Sequence, residues 1–285
     1  MLLFERAAIV GVGLIGGSLA LAARTGGLIG EAVGLGRSEA NLATALERGI
    51  VDRAARDPAA LGPVDLVVLA VPVRSTAAVA TALLPHLAPR TVVTDVGSVK
   101  GEVVETMEAL LPADRPFVGA HPIAGGERAG AAAAAPDLFR GARCILTPTP
   151  RTDRAALGRV RSLWEGVGAR VEEMPAAAHD RALAWTSHVV HALAYALVRA
   201  IDGADPALLG RGGPSLRDAT RIAASPAELW RDIFLANAGA VSGAIGEVAD
   251  ELARLRAAVE AGDPAALEAL LAAAVAAKRR AEGER

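Results

Sequence analysis

Aromatic residues make up only 3% of this 285-residue chain, and cysteine occurs once, at Cys144. A chain of this length most often forms two domains or one large one. With so few rings its core must pack through small and aliphatic side chains, which a 52% hydrophobic content supplies. A single thiol excludes an internal disulfide framework and a cysteine metal cluster, and it points to a reducing, cytoplasmic setting. No charge of one sign dominates. Thirty Lys and Arg against 32 Asp and Glu leave a formal charge of −2, so nothing suggests nucleic acid or an anionic membrane as a partner. No uninterrupted apolar stretch reaches the ~18 residues of a membrane span. The nearest, 182–198, carries Thr186, Ser187, His188, His191 and Tyr195 and reads as a buried helix. The first four residues run into Glu5 and Arg6, as a strand would and a leader would not. The histidines have no cysteine or acidic partner at metal-ligand spacing, so no metal is expected.

Glycine, by contrast, is plentiful, and its placement organises the first half. Short β-rich runs at 7–11, 32–35, 65–71, 92–95, 117–120, 143–147 and 170–173 alternate with helical segments such as 15–23, 39–48 and 153–167. The run 65–71 is continuously apolar after its Asp, as in a strand buried on both faces. Repeated βα units predict an α/β domain over 1–174, a Rossmann-like doubly wound parallel sheet. After Met174-Pro175 the strand signals stop. Helices are expected at 179–201, 214–224, 226–252 and 264–282, forming an all-α substrate and dimerisation domain over 175–285. The alanine-rich stretches 182–198 and 266–277 present more small apolar surface than a lone helical domain can bury. They predict an interleaved homodimer, whose interface would exceed roughly 2,000 Å².

The sequence Gly11-Val12-Gly13-Leu14-Ile15-Gly16 follows the first strand and opens the first helix, the context in which a GxGxxG motif binds a dinucleotide. Gly11 permits the turn, Gly13 admits a pyrophosphate close to the backbone, and Gly16 lets helix and strand pack together. An NAD site usually has an acidic residue about 20 residues on, at the end of the second strand. Here Gly36-Arg37-Ser38 stands there, a guanidinium and a hydroxyl suited to a 2′-phosphate, which favours NADP over NAD. Adenine stacking by Arg37 in an NAD enzyme is the alternative. Val71-Pro72 and the Gly97-Ser98 turn should line the carboxyl edge of the sheet beside the nicotinamide.

A nucleotide loop names no reaction. The stretch Gly119-Ala120-His121-Pro122-Ile123-Ala124-Gly125-Gly126-Glu127 adds one candidate, an imidazole braced by proline and flanked by glycines. His86 reads as solvated. His179, His188 and His191 sit around one helix, His188 as a core histidine, with His179 and His191 on different sides. Arg217 and Arg221 are four apart, hence on one helical face. With Trp230 nearby they could clamp a carboxylate beside an aromatic wall, or form an ordinary salt-bridged surface.

Five blocks, 11–18, 95–100, 121–125, 186–191 and 217–223, together resemble the prephenate/arogenate dehydrogenase family of tyrosine biosynthesis, in the family's order. The departures are Gly126, where relatives often carry a hydroxyl, the Val189-Val190 pair, and the absent acidic residue after strand two. The resemblance implies oxidative decarboxylation of a cyclohexadienol. His121 would accept the 4-hydroxyl proton, and Ser98 would orient the imidazole or the hydroxyl. Arg221 would hold a substrate carboxylate and His191 a second polar group, with Arg217, Gly126, Glu127 and Trp230 around them. The expected acid limb of kcat/KM lies near about 6.5, the ordinary histidine value. Neither an ACT-type regulatory domain nor a chorismate-mutase segment is expected within the chain. Two other readings are a hydroxyacid or 6-phosphogluconate-type dehydrogenase and a nucleotide-binding sensor without chemistry. The first needs a lysine in the helical domain, and the chain's lysines are only Lys100 and Lys278. The second leaves His121 and the arginines without a role.

Overall fold

The computed structural model describes residues 1–126 and 128–283. Its main sheet holds six parallel strands, β1 (Phe4–Val10), β2 (Ile29–Leu35), β3 (Arg53–Ala55), β4 (Leu66–Leu69), β5 (Val92–Asp95) and β6 (Phe117–Val118). They lie in the order β3-β2-β1-β4-β5-β6. Helices α1 (Leu14–Thr25), α2 (Glu39–Glu47), α3 (Thr76–Leu83) and α4 (Gly101–Leu110) connect them. The strand order reverses between β1 and β4, and doubly wound sheets bind ligands in the crevice at that switch point. Strand β4 is buried along its whole length. Leu66 and Val68 pack into one core and Val67 and Leu69 into the other, as the pleat of a two-sided strand requires. The short edge strand β3 carries little apolar signal and was not evident in the sequence.

The run expected as one strand at 117–120 divides at Gly119. A Cβ at that position would stand 2.5 Å from the Thr147 hydroxyl, so the chain turns there where only glycine fits. Beyond it, β7 (Ala120–Pro122), β8 (Arg143–Leu146) and β9 (Arg170–Glu173) form a separate three-stranded sheet. In it β7 runs antiparallel to β8, so these strands do not extend the parallel sheet. Helix α5 (Arg154–Gly166) is capped by Asp153, whose carboxylate accepts from Ala156 N at 2.7 Å. It brings the fully buried Trp164 against Phe139, edge to face.

Among the described residues every element after β9 is helical, chiefly α6 (Ala176–Leu183), α7 (Val189–Ala204), α8 (Ala207–Arg211), α9 (Pro214–Thr220), α10 (Ala227–Ala236), α11 (Ala238–Glu260) and α12 (Pro264–Ala281). A π-helical turn, Ala184–His188, joins α6 to α7. Asn237, with φ −121° and ψ 35°, breaks the helix expected over 226–252. The helices dock on the sheet domain through α10, whose Trp230 and Ile233 share an apolar core with Val10, Leu69 and Val73. Helix α12 buries no residue, leaving Leu271 and Val275 half exposed. Among the described residues no helix is long and apolar enough to cross a membrane.

Candidate active site

The glycine motif forms a cradle. Gly11 has φ +93°, and a Cβ there would meet the Ala70 carbonyl oxygen at 2.2 Å. One at Gly16 would lie 2.3 Å from the Gly11 carbonyl oxygen, so this glycine sets how closely α1 approaches its strand. Gly13 differs. It is the N-cap of α1, makes no side-chain cap, and a Cβ there would meet nothing within 4 Å. The first-turn N–H groups of α1 thus face open space with the positive end of the helix dipole behind them, which fits a pyrophosphate. A cleft of about 450 Å³ extends from this point, lined by Gly13–Gly16, Val71, Pro72, Ser98 and Gly126. The expected cofactor residues at the sheet edge therefore share one cavity. Arg37 and Ser38 lie exposed just past β2. The Ser38 hydroxyl oxygen caps α2 by accepting from Asn41 N at 3.3 Å. Asn41 in turn donates to Val12 O at 2.7 Å and accepts from Ala131 N, tying the glycine loop to the alanine-rich turn.

Three residues before the cleft wall formed by Ala124–Gly126, His121 leaves β7 into a buried polar cluster. Its Nδ1 lies 2.8 Å from Nε2 of His179 on α6, and His179 Nδ1 lies 2.7 Å from Asp180 Oδ1. The Asp180 carboxylate also accepts from Lys100 N at 2.8 Å and Gly101 N at 2.7 Å, at the start of α4. Burial alone would raise the Asp180 carboxyl, but the bonds from His179 and these two amides outweigh it and hold the carboxyl below its usual range. The cluster rests on a second carboxylate. Asp95, at the end of β5, forms a fully buried ion pair with Lys100 and accepts from Ala120 N at 3.1 Å. Lys100 Nζ donates to Ala120 O at 2.9 Å, so both chemical groups grip the residue preceding His121. Burial lowers the Lys100 ammonium while Asp95 opposes the shift.

Burial, with the neighbouring His179, Lys100 and His188, holds the His121 imidazole well below the ordinary value. The acid limb expected near 6.5 is therefore corrected to a lower pH, because the charged imidazolium is desolvated here. His121 is neutral at physiological pH, as a proton acceptor must be.

The π turn explains why three histidines gather. In an unbroken α-helix His179 and His188, nine residues apart, face opposite sides. The extra residue of a π turn rotates the downstream helix by about 100°, and such turns often occur at functional sites. His188 is buried, and its Nδ1 lies 3.2 Å from Asn237 Nδ2, which also donates to Asp180 O at 2.8 Å. Burial pushes His188 down to about 4. His191 donates from Nδ1 to Ser187 O at 3.0 Å and stacks on Trp230 at 3.4 Å between ring centres. Burial lowers its imidazole, and the positive charge of Arg221 contributes to the shift. Arg221 opens a 3-10 turn at the end of α9, so the helix expected over 214–224 is two segments. Arg217 on α9 and Arg221 are both exposed. Ser98 faces the cofactor cleft, and the partner of His121 Nδ1 is His179. Glu127 lies outside the described residues. His179, Asp180 and Asn237 have no local motif to announce them, and the sequence gives Asp95 and Lys100 no role although they lie within the 95–100 block.

Comparison with known proteins gives a consistent picture. The family model described as "Prephenate dehydrogenase, nucleotide-binding domain" matches residues 19–173, and "Prephenate dehydrogenase, dimerization domain" matches 175–273. The chain is 36% identical to a cyclohexadienyl dehydrogenase of Zymomonas mobilis over 268 residues, covering 92% of this chain and 91% of that protein. It is 34% identical over 260 residues to a prephenate dehydrogenase of Bacillus subtilis, covering 90% and 70%. In structure it resembles the A. aeolicus prephenate dehydrogenase in complex with hydroxyphenyl propionate and NAD+. The TM-score is 0.89 at 35% identity, covering 96% of this chain and 98% of that one. A Synechocystis arogenate dehydrogenase matches with a TM-score of 0.81 at 30% identity, over 97% and 99%. The chain belongs to the prephenate dehydrogenase family.

Proposed function

We propose that the chain catalyses the oxidative decarboxylation of prephenate or arogenate, with residues 1–174 binding the dinucleotide and 175–285 completing the substrate site and the dimer. The observation that carries this reading is the convergence of two features. A glycine-walled cleft opens at an uncapped helix N-terminus, and β7, which carries a buried, neutral imidazole, runs on into the cleft wall at Ala124–Gly126. A bound NAD(P)+ would supply the acceptor for the hydride that leaves C4. His121 takes the 4-hydroxyl proton as the ring carboxylate departs as CO2, a general-base contribution of about 10²–10⁴-fold. Ser98 orients the hydroxyl from the cleft side. Arg221 and Arg217 hold a carboxylate, while His191, stacked on Trp230, offers a polar edge of fixed orientation. Gly126 leaves room in the cleft wall, and Glu127 contributes to substrate binding.

NADP is the cofactor we favour over NAD, on the exposed Arg37 and the absence of a carboxylate at 36–38. A homodimer through α7, α11 and α12 is supported by half-exposed Val190, Leu197, Leu252, Leu271 and Val275. The free thiol of Cys144 supports a cytoplasmic location. Crossing prephenate and arogenate with NAD and NADP in a steady-state assay tests the activity and both preferences. Absence of turnover in all four combinations would overturn the reading.

A further inference from the structure

Behind His121 a chain of hydrogen bonds runs through His179 to Asp180 and ends on the backbone amides that begin α4. We propose that His179 and Asp180 are positioning residues that fix His121 with a bare Nε2 and draw its positive charge away through a proton relay. The inference rests on His121 being the acceptor of the substrate's hydroxyl proton.

The tautomers are set from one end. Asp180, ionised and accepting from Lys100 N and Gly101 N, can only accept from His179, so His179 carries its proton on Nδ1. His179 Nε2 is then a lone pair and accepts from Nδ1–H of His121 at 2.8 Å. His121 is left with its lone pair on Nε2. A buried imidazole without this brace could adopt either tautomer, and one of the two has no base to offer the substrate.

The same chain answers an electrostatic difficulty. His121 is a poor place for a cation, since burial disfavours its protonated form and Lys100 faces it across the β5–α4 connection. Lys100 is itself paired with Asp95, while His188 faces the site from the π turn and the neutral thiol of Cys144 from β8. His179 instead adjoins the Asp180 carboxylate. When the substrate O–H bond breaks, its electron pair stays on oxygen and an Nε2–H bond forms on His121. The His121 Nδ1–H bond then breaks as an Nε2–H bond forms on His179. The cation comes to rest beside Asp180, which remains ionised. With the C4 hydride accepted by a bound NAD(P)+, loss of CO2 would leave a phenolate that takes the proton back along the same path, so no proton is gained or lost.

Two measurements test the relay. In the intact wild-type enzyme with 15N-labelled histidine, the nitrogen shifts of neutral His121 should report protonated Nδ1 and bare Nε2, and those of His179 protonated Nδ1. The opposite tautomer on His121 would overturn the proposal whether or not the enzyme turns over prephenate. In His179→Gln and Asp180→Asn, kcat should fall 10²–10³-fold with KM within about threefold. The acid limb of kcat/KM should shift in His179→Gln, because one of the two coupled imidazoles that share the proton is then missing. A variant that folds and keeps both its kcat and its acid limb would reduce the chain to scaffolding while leaving the dehydrogenase reading intact. If His179→Gln does not fold, the wild-type tautomers still decide. An inactive wild type with the stated tautomers would sink the function and spare the geometry.

Discussion

The cofactor cleft and the polar cluster behind it lie side by side and are built on opposite principles. The cleft is made by omission. Three glycines shape it, no side chain caps its helix, and its walls are largely backbone and aliphatic groups. The cluster is made by accumulation, with Asp95, Lys100, His121, His179, Asp180, His188 and Asn237 all buried and hydrogen-bonded to one another or to backbone. A site of the first kind binds what the backbone can reach and tolerates solvent. One of the second kind fixes tautomers and charges, and each member depends on its neighbours because an unpaired buried polar group is costly. Replacing a member of the cluster should therefore change chemistry and acid stability, whereas replacing a residue at the rim of the cleft should change only affinity.

The largest expected effect is on His121. Asparagine keeps a polar group of similar size but takes up no proton near neutral pH. For His121→Asn we expect kcat to fall by two to four decades, about 3–5 kcal/mol, with KM little changed. Arg221→Ala should divide the other way, raising KM strongly while kcat drops less. Steady-state kinetics on both variants would break the comparison if His121→Asn acted mainly on KM.

The next effect is on stability against acid. His188 is buried and titrates at about 4 in the folded protein, against about 6.5 unfolded. Above pH 6.5 the ring is neutral in both states. As the pH falls below that value the unfolded chain takes up a proton that the folded one refuses, and stability declines until about pH 4. Integrated over that window the loss is about 3 kcal/mol. His121 shifts in the same direction and adds to it. Urea unfolding at pH 7 and pH 4.5 should show this steep loss. In His188→Gln the slope should shrink, even if the variant is less stable at pH 7. An unchanged slope would mean that His188 opens to solvent before the chain unfolds.

These two regions were not equally legible in the sequence. The cleft was readable because its determinants are contiguous. A strand, three glycines and a helix occupy residues 4 to 25, and their spacing carries the geometry. His121 could be singled out for the same reason, from Pro122 and the glycines beside it. The cluster was not, since its partners are 58 and 80 residues apart and meet only through tertiary packing. His179 and Asp180 look like ordinary helix residues, and the π turn that brings His188 toward them leaves no periodicity signal. The second sheet was missed because the turn at Gly119 depends on the distant Thr147 and Val104. Helix 226–252 looked continuous because Asn237 breaks it through contacts to Asp180 and His188, not through its own propensity.

The smallest effect sharpens the cleft side of the comparison. Arg37 stands exposed beyond β2, with no carboxylate at 36–38 to repel a 2′-phosphate. If its guanidinium bonds that phosphate, the interaction is a charged hydrogen bond near solvent, with a contribution of about 1.5–3 kcal/mol. Arg37→Ala should then weaken NADP by roughly 10- to 150-fold and leave NAD nearly unchanged. Because the residue contacts neither His121 nor its relay, kcat at saturating cofactor should stay within about twofold of wild type, and acid stability should not move. Raising ionic strength should erode the NADP preference of the wild type, since the contact is solvent-facing and screened. Equal losses for the two cofactors would assign Arg37 to stacking on the adenine, which both share, and would remove the case for NADP. A fall in kcat with either cofactor would show instead that the rim communicates with the buried cluster, so that the two regions could no longer be treated as separable.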